Sequence, residues 1–193
     1  MEVNQQEKEW LAALKAGDKS AFKAIYNQYY KYLVVTAFNV LGDSDAARDL
    51  AQDVFVEIWK KRETLLISSS LKPYLRRAVV NKTLNYIKAS RIDFNDPANL
   101  PENVTDAPSH DEQLHADNLE KIIHDAIANL PERCRVVFTL CRLEKLSHKE
   151  IAAQLDISTK TVENQMTRAL VILRKALGPY VGEELLILIL LFF

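Results

Sequence analysis

Apolar residues recur at steps of three and four along most of this 193-residue chain, the spacing that places them on one face of an α-helix. Asn4 and Glu7 mark the start of the first predicted helix, and Gly17 marks its end. The chain has only four Gly residues and 48% apolar residues. We therefore predict an all-α protein rather than a β-rich or a disordered one. Further helices are predicted over about 18–41, from 43 or 44 onward, and over about 70–92, 110–129, 131–144, 148–155 and 159–177.

A proline-containing stretch separates two helical parts of the sequence. Residues 93–108 contain Pro97, Pro101 and Pro108 and show no apolar period, which is typical of an extended, mobile tether. We therefore expect two small helical domains, a flexible acidic linker and a tail. The expected boundaries are 1–92, 93–109, 110–178 and 179–193.

Charge is distributed unevenly around this boundary. The formal net charge is −1, so the total gives no sign of affinity for nucleic acid. From Leu71 to Ile92, however, there are six cations and no acid, and from Asp93 to Asp117 there are seven acids and no Lys or Arg. A long run of cations is costly unless an anion compensates it. We therefore favour a DNA-binding helix over a solvated basic stripe.

The C-terminal part has the pattern of two helices joined by a tight turn. Ser147 and Glu150 form a capping box, the turn is predicted at 156–158, and Ser158 caps the second helix. In this turn, Asp156 takes a position where many such motifs carry Gly. Such a unit places its second helix in the major groove of DNA, although two amphipathic helices also build ordinary bundles. The residues expected to face inward are Val162, Met166, Ala169, Leu170 and Leu173. The opposite side carries Lys160, Asn164, Thr167 and Arg168, and Val171 projects to it.

Other residue types argue against several classes of site. Cys134 and Cys141 are about 10 Å apart along one helix, too far for a disulfide, and are expected as small core residues. No metal, cofactor or catalytic site is expected, because the His and Cys residues lack zinc spacing and glycines for a phosphate-binding loop are few. The polar N-terminus is not a signal peptide.

Nine uninterrupted apolar residues, 185–193, end the sequence. A membrane-spanning helix needs about 20 residues, so no membrane span is expected. Three interpretations stay open. The segment docks on the C-terminal domain, contacts a partner protein, or associates with a membrane surface.

The order of these parts resembles a sigma factor of bacterial RNA polymerase, of the small extracytoplasmic-function (ECF) group. The resemblance rests on DLAQDVFVEIWKK and LKPYLRRAVVNKTLNYIKASR, and on the long segment from LPERCRVVF to VILRKAL. It covers about residues 20–92 and 112–178. It implies two domains, region 2 and region 4, which bind core polymerase at the β′ clamp helices and the β flap and recognise the −10 and −35 promoter elements. It also implies a cytoplasmic initiation factor without a catalytic site, with an anti-sigma factor as a further partner.

The resemblance assigns polymerase binding to the segment 49–59. Its polar and aromatic outer residues would form a rim against the polymerase, and the alternative is a solvated acidic helix face. The residues implied in this contact are Asp49, Gln52, Asp53, Glu57 and Trp59. The residues expected to bury toward the domain core are Leu50, Val54, Phe55 and Ile58.

Recognition and melting of the −10 element are assigned to the segment 71–91. Cations can follow a phosphate backbone, tyrosine rings can stack on unpaired bases, and asparagine amides offer donors and acceptors to base edges. A core position is equally open for each tyrosine. The implied residues are Tyr74, Arg76, Arg77, Asn81, Lys82, Asn85, Tyr86, Lys88 and Arg91.

The second helix of the helix-turn-helix would read the −35 element as duplex DNA. Lys160 and Arg168 suit phosphate or guanine, Asn164 suits adenine, and Glu163 either accepts from a cytosine amine or disfavours misplaced phosphates. The implied residues are Lys160, Thr161, Glu163, Asn164, Thr167 and Arg168. In sigma factors of this family the linker lies near the RNA path inside the polymerase, so the resemblance implies the same place for the acidic linker here. The alternative interpretation is that this linker is a plain solvated tether.

Two other classes compete with this interpretation. One is a free-standing regulator that dimerises through its N-terminal domain and binds palindromic operators. The other is an interaction protein that sequesters a helical partner through the apolar tail and binds no DNA. Dependence on core polymerase discriminates the first of these from a sigma factor.

Overall fold

The computed structural model describes residues 5–65, 67, 70–90, 94 and 116–181. Within these residues all regular structure is helical, which confirms the predicted fold class. The chain divides into two compact units, Met1–Ser90 and Arg91–Phe193. The helices are α1 (Gln5–Lys15), α2 (Lys19–Leu41), α3 (Ser44–Lys61), α4 (Leu71–Ala89), α5 (Ala116–Ala128), α6 (Glu132–Arg142), α7 (His148–Leu155) and α8 (Thr159–Leu177).

In the first unit, α2 is the central helix, and α1, α3 and α4 all pack against it. Side chains on several faces of α2 are buried, because neighbouring helices pack on several sides of it. Ile25 and Leu33 are completely buried, as are Leu71 and Leu75 of α4. Each such side chain contributes about 1.5–3 kcal/mol relative to an exposed one. This core fixes α3 and α4 beside each other.

Short polar turns end and restart these helices. Asp18 caps α2 by accepting the backbone N–H of Ser20 at 2.7 Å, and the Ser20 hydroxyl holds the pKa of Asp18 below its ordinary value. Gly42 ends α2 in the left-handed region with φ 70°, where a side chain would be strained. Asp43 then caps α3 by accepting the N–H groups of Asp45 and Ala46. The chain therefore reverses within two residues.

A buried carboxylate ties the first helix to the fourth. Glu7 is only 8% exposed, and it accepts a hydrogen bond from the Tyr29 hydroxyl and another from the backbone N–H of Leu71. Burial raises the pKa of Tyr29, and the hydrogen bond to Glu7 raises it further. Ser70, the residue before α4, makes no side-chain cap. Glu7, expected only to mark the start of α1, therefore stabilises the start of α4.

The second unit packs α5, α6 and α7 against α8. Val136, Val137, Leu140 and Ile151 are completely buried and form the centre of this core. The guanidinium of Arg135 donates to the carbonyl oxygens that end α5, those of residues 128 and 130, at 2.9 and 3.1 Å. This contact satisfies backbone groups that a helix end leaves without partners.

The helix-turn-helix follows the predicted local chemistry. Ser147 and Glu150 form both hydrogen bonds of the capping box, and the Ser158 hydroxyl accepts the backbone N–H of Thr161 at 2.9 Å. Asp156 adopts the left-handed conformation, with φ 58° and ψ 46°. Asp tolerates this conformation better than most residues, although Gly adopts it without cost. The turn therefore forms without the glycine that many such motifs carry.

Some predicted helix bounds differ from those of the structure, and other predicted features lie outside the described residues. The fourth helix ends at Ala89, where Ser90 turns back and its hydroxyl donates to the Ile87 carbonyl at 2.8 Å. Asn4, the start of the fifth helix before residue 116, and the tail segment 185–193 lie outside the described residues. Among the described helices, none is long and apolar enough to cross a bilayer.

One residue of the expected mobile linker is docked. Phe94 is 5% exposed, and its carbonyl oxygen accepts a hydrogen bond from the side-chain amide of Gln165 on α8 at 3.2 Å. Gln165 is itself buried, and its amide oxygen accepts from the thiol of Cys134 at 3.3 Å. Phe94, within the expected tether, is therefore held against α8 by this buried amide. The remaining residues of 93–108 lie outside the described part of the chain.

Candidate protein and nucleic-acid interfaces

The outer face of α3 combines acidic residues with one exposed apolar side chain. Asp49 and Asp53 are exposed, and so are the flanking residues Gln52 and Glu57. Val56 is 47% exposed and lies within about 60° of both aspartates around the helix axis. The inner residues Val54, Phe55 and Ile58 are buried as predicted, whereas Leu50 is only half-buried.

Trp59 lies at the edge of this face and belongs to an aromatic cluster between α2 and α3. Its ring centroid is 5.2 Å from that of Phe22, and the Arg62 guanidinium lies 4.8 Å from the centre of the Trp59 ring. The cluster continues with Tyr26 and Phe55, whose ring centroids are 4.8 Å apart. These contacts hold the half-buried Trp59 in place.

The residues predicted to contact the −10 element divide into two groups on α4. Arg77, Asn81, Asn85 and Lys88 are exposed and lie within about 80° of one another around the helix axis. Tyr86 is 44% exposed, which places its ring at the surface rather than in the core. Tyr74, Arg76 and Lys82 are half-buried, and Arg91 lies outside the described residues.

Lys82 connects α4 to the acidic face of α3. Its Nζ lies 3.1 Å from a carboxylate oxygen of Glu57 and 3.7 Å from one of Asp53. The hydrogen bond from Lys82 is the main reason why the pKa of Glu57 lies below its ordinary value. Burial raises the pKa of Tyr74, and the negative charge of Glu57 adds to that effect. The faces expected for polymerase and for DNA therefore meet at one ion-pair cluster.

The outer face of α8 presents a mixed polar surface. Lys160, Asn164 and Thr167 are exposed and lie within about 60° of one another around the axis. Glu163, beside them, pairs with Lys160 at 3.5 Å, and its backbone carbonyl accepts a hydrogen bond from the Thr167 hydroxyl. Thr161 is half-buried and contributes to the N-terminal cap through Ser158.

Arg168, like Thr161, is less exposed than the other predicted −35 residues. It is half-buried, and it lies close enough to Cys134 for its charge to lower the pKa of that thiol, although burial is the larger influence and raises it. Cys134 is buried as predicted, whereas Cys141 is half-buried, and both are free thiols.

Sequence reasoning missed two residues of these helices, the exposed Val56 and the buried Gln165. Val56 was not singled out, since a lone apolar residue in an acidic stretch gives no signal. Gln165 falls on the buried side of α8, where an amide side chain was not expected. Val171 was recognised as outward-facing, and at 56% exposure it lies in the same stripe as Asn164 and Thr167, so a contact with a thymine methyl group is sterically open.

The three helix faces differ in the chemistry that they offer to a partner. Two helix faces carry cations and amides suited to phosphate and base edges, and a third carries acids around an apolar centre. The described side chains thus define a helical protein with separate candidate surfaces for nucleic acid and for a basic protein partner.

Comparison with known proteins identifies the family. Residues 25–92 match the model of Sigma-70 region 2, and residues 120–173 match that of Sigma-70, region 4, so that more than half of the chain is matched. The chain belongs to the sigma-70 family of RNA polymerase sigma factors, in its extracytoplasmic-function group. Sigma factors are transcription initiation factors: they bind core RNA polymerase and direct it to promoters.

Individual relatives match most of the length of the chain at modest identity. The RNA polymerase sigma-H factor of Pseudomonas aeruginosa is 25% identical over 192 residues, which cover 95% of this chain and 100% of the relative. The ECF RNA polymerase sigma-E factor of Haemophilus influenzae is 27% identical over 175 residues, 86% of this chain and 92% of the relative. The solved structure of CnrH in complex with the cytosolic domain of CnrY is 21% identical, with a TM-score of 0.48, and the match covers 92% of this chain and 100% of that one.

Proposed function

We propose that this sigma factor divides its work among three helix faces. The α3 face binds core polymerase at the β′ clamp helices, α4 holds the melted −10 element, and α8 reads the −35 duplex while its domain contacts the β flap. The proposed domain boundaries are 1–92 and 110–178, with a linker at 93–109 and a tail at 179–193. The observation that carries this assignment is the exposure of these three faces on helices that family models match.

On α3, the acids and Val56 suit a basic partner with a small apolar contact. Buried contacts at the centre of an interface carry most of its binding energy, and the polar rim gives orientation. Val56 supplies that apolar centre, and Asp49, Gln52, Asp53 and Glu57 surround it. Trp59 supports the face from its edge through the aromatic cluster.

On α4, strand separation needs no covalent chemistry. The helix must hold unpaired bases more tightly than the duplex holds them, and stacking on an aromatic ring contributes about 1–3 kcal/mol per base. Tyr86 has an exposed ring for this purpose, and Arg77 and Lys88 offer exposed cations to the phosphates from a face about 160–180° away around the helix axis. Asn81 and Asn85 lie between these cations and offer hydrogen bonds to base edges.

On α8, the exposed stripe has the residue types that read base edges in the major groove. Asn164 suits adenine and Lys160 suits guanine or phosphate. Arg168 is expected to reach a phosphate rather than a base edge, because it is half-buried. Thr161 contributes chiefly by fixing the start of the helix.

Polymerase is expected to make the two DNA contacts cooperative. Two small domains that bind DNA separately lose much of their binding energy to alignment. A polymerase that holds both at fixed positions makes the second contact intramolecular. We infer from this that the polymerase performs all the chemistry, that the sigma factor has no catalytic role, and that it acts in the cytoplasm. The family resemblance also suggests an anti-sigma factor as a regulator, which co-purification from the native cell tests.

Run-off transcription with purified core polymerase tests this assignment. The full chain should direct transcription from a specific start site. Asp49→Arg should abolish that activity by weakening polymerase binding, whereas the same charge reversal at the exposed Asp125 of α5 should leave polymerase binding unchanged. High-affinity binding of the isolated protein to a palindrome, without any response to core polymerase, would instead establish the dimeric regulator.

A further inference from the structure

The ion-pair cluster between α3 and α4 joins two surfaces that serve different partners. Lys82 belongs to the helix proposed to hold DNA, whereas Asp53 and Glu57 belong to the face proposed to bind polymerase. The Lys82 side chain is 22% exposed, and the two carboxylates are 63% and 51% exposed. The cation is therefore the covered member of the cluster, and the carboxylates remain open to a partner.

Lys82 cannot pair fully with the two carboxylates and with a DNA phosphate at the same time. While Lys82 lies 3.1 Å from Glu57, its charge is largely compensated within the protein and attracts a phosphate less. A basic group of the polymerase that pairs with Glu57 and Asp53 would compete with Lys82 for them. The ammonium group of Lys82 lies at the end of a long, flexible side chain, so it can turn toward DNA by side-chain rotation alone.

We propose that Asp53 and Glu57 restrain Lys82 in the free sigma factor, and that polymerase binding releases Lys82 to contact promoter DNA. This inference rests on the proposed roles of α3 and α4. It makes Lys82 a positioning link between the two surfaces. By thermodynamic reciprocity, DNA that engages Lys82 must also strengthen the contact of the carboxylates with polymerase.

The expected size of the effect is modest, because both carboxylates are more than half exposed and solvent screens them. Exposed ion pairs shift equilibria by up to about fivefold. An effect of that size at each promoter encounter favours DNA binding by the holoenzyme over DNA binding by the free protein.

A double-mutant cycle on the free, full-length protein tests the restraint. The probe is a fluorescein-labelled single strand from the non-template −10 region of a promoter that the holoenzyme transcribes, and anisotropy gives its dissociation constant. Asp53→Asn with Glu57→Gln should tighten binding about threefold to fivefold. In a Lys82→Gln background, the same pair of substitutions should have no effect beyond the small gain from lost negative charge.

A matched pair on the same helix controls for that loss of charge. Asp45→Asn with Asp49→Asn removes two negative charges that do not pair with Lys82. If this control pair tightens binding as much as the cluster pair does, or if the gain persists without Lys82, the restraint does not exist. Unchanged far-UV circular dichroism and melting temperature should accompany every variant, since the substituted groups lie at the surface.

The holoenzyme provides a second measurement with an opposite expectation. Lys82→Gln should weaken promoter binding more in the holoenzyme than in the free protein, because Lys82 is restrained only in the latter. Equal effects in both states would overturn the inference. Wild-type run-off transcription separates this failure from a failure of the proposed function: transcription without coupling removes only the inference, whereas no transcription with core polymerase removes both.

Discussion

The carboxylate of Glu7 accepts the backbone N–H of Leu71, 64 residues further along the chain, at 3.1 Å. The first helix thereby caps the helix that carries the proposed −10 surface. The Tyr29 hydroxyl donates to the other oxygen of the same carboxylate. One buried side chain therefore joins three helices, and the geometry of α4 depends on a residue far from any DNA contact.

Removal of this carboxylate should destabilise the N-terminal unit. Glu7→Ala leaves a buried hydroxyl and a buried N–H without partners, which costs about 1–3 kcal/mol. Both tryptophans of the chain, Trp10 and Trp59, lie in this unit, so urea unfolding followed by tryptophan fluorescence reports on it. Glu9→Ala on the exposed side of α1 is the control and should change stability by less than about 0.5 kcal/mol. Equal stability of both variants would show that the Glu7 contacts contribute nothing.

Alkaline pH should destabilise the same unit through Tyr29. Its pKa in the folded state is raised above the ordinary value of 10.0 by burial and by Glu7. Above pH 10 the unfolded chain ionises Tyr29 while the folded chain does not, so the free energy of unfolding falls as pH rises, by about 1.4 kcal/mol per pH unit for this group. Urea unfolding between pH 9 and pH 11 should show this fall.

Substitutions of two tyrosines isolate that contribution. In Tyr29→Phe, the free energy of unfolding should fall less steeply with pH above pH 10. The slope should lose the contribution of one ionising group, because the tyrosine hydroxyl is gone. Tyr86→Phe, on the exposed surface of α4, should keep the wild-type slope. A Tyr29→Phe slope identical to that of the wild type would assign the alkaline dependence to other groups.

The docking of Phe94 should depend on Gln165. Gln165→Leu removes both hydrogen bonds of the buried amide and leaves the Phe94 carbonyl and the Cys134 thiol without that partner. Limited chymotrypsin digestion should then cut after Phe94 at least several times faster than in the wild type, since cleavage follows the population of the open form. As a control, Gln154→Leu on α7 replaces an amide whose oxygen is buried without a hydrogen-bond partner among the described residues, and it should leave the rate unchanged. An unchanged rate in Gln165→Leu would mean that the amide does not hold the linker.

Recognition of the −35 element should depend on the exposed stripe of α8. Asn164→Ala should weaken binding of the holoenzyme to promoter duplex by about 1–3 kcal/mol and relax the preference at one base pair, if Asn164 pairs with adenine. Asn129→Ala, at an exposed position after α5, makes the same chemical change away from this face. Competition binding with base-substituted promoters measures both variants. Loss of polymerase binding in Asn164→Ala would mean that this surface has been assigned to the wrong partner.

Local chemistry of the sequence predicted the helices and their ends well. The capping box of Ser147 and Glu150, the cap at Ser158 and the stop at Gly17 formed as expected, because such signals act between residues a few positions apart. Periodicity also predicted which faces of α3 and α8 are buried, apart from the half-buried Leu50 and Leu170. The family resemblance, carried by the order of motifs, supplied a function that no single helix could.

Only the tertiary structure decided how the predicted site residues are partnered. Lys82 and Glu57 were assigned to different surfaces, yet the packing of α4 on α3 brings them within 3.1 Å. Glu7 is buried against Leu71, and Gln165 holds Phe94, across separations of 64 and 71 residues. Helical periodicity determines which way a side chain points from its own axis, but the residue that it meets depends on how two axes pack. The sequence alone therefore determined the helices and their faces, and the packing determined the contacts between them.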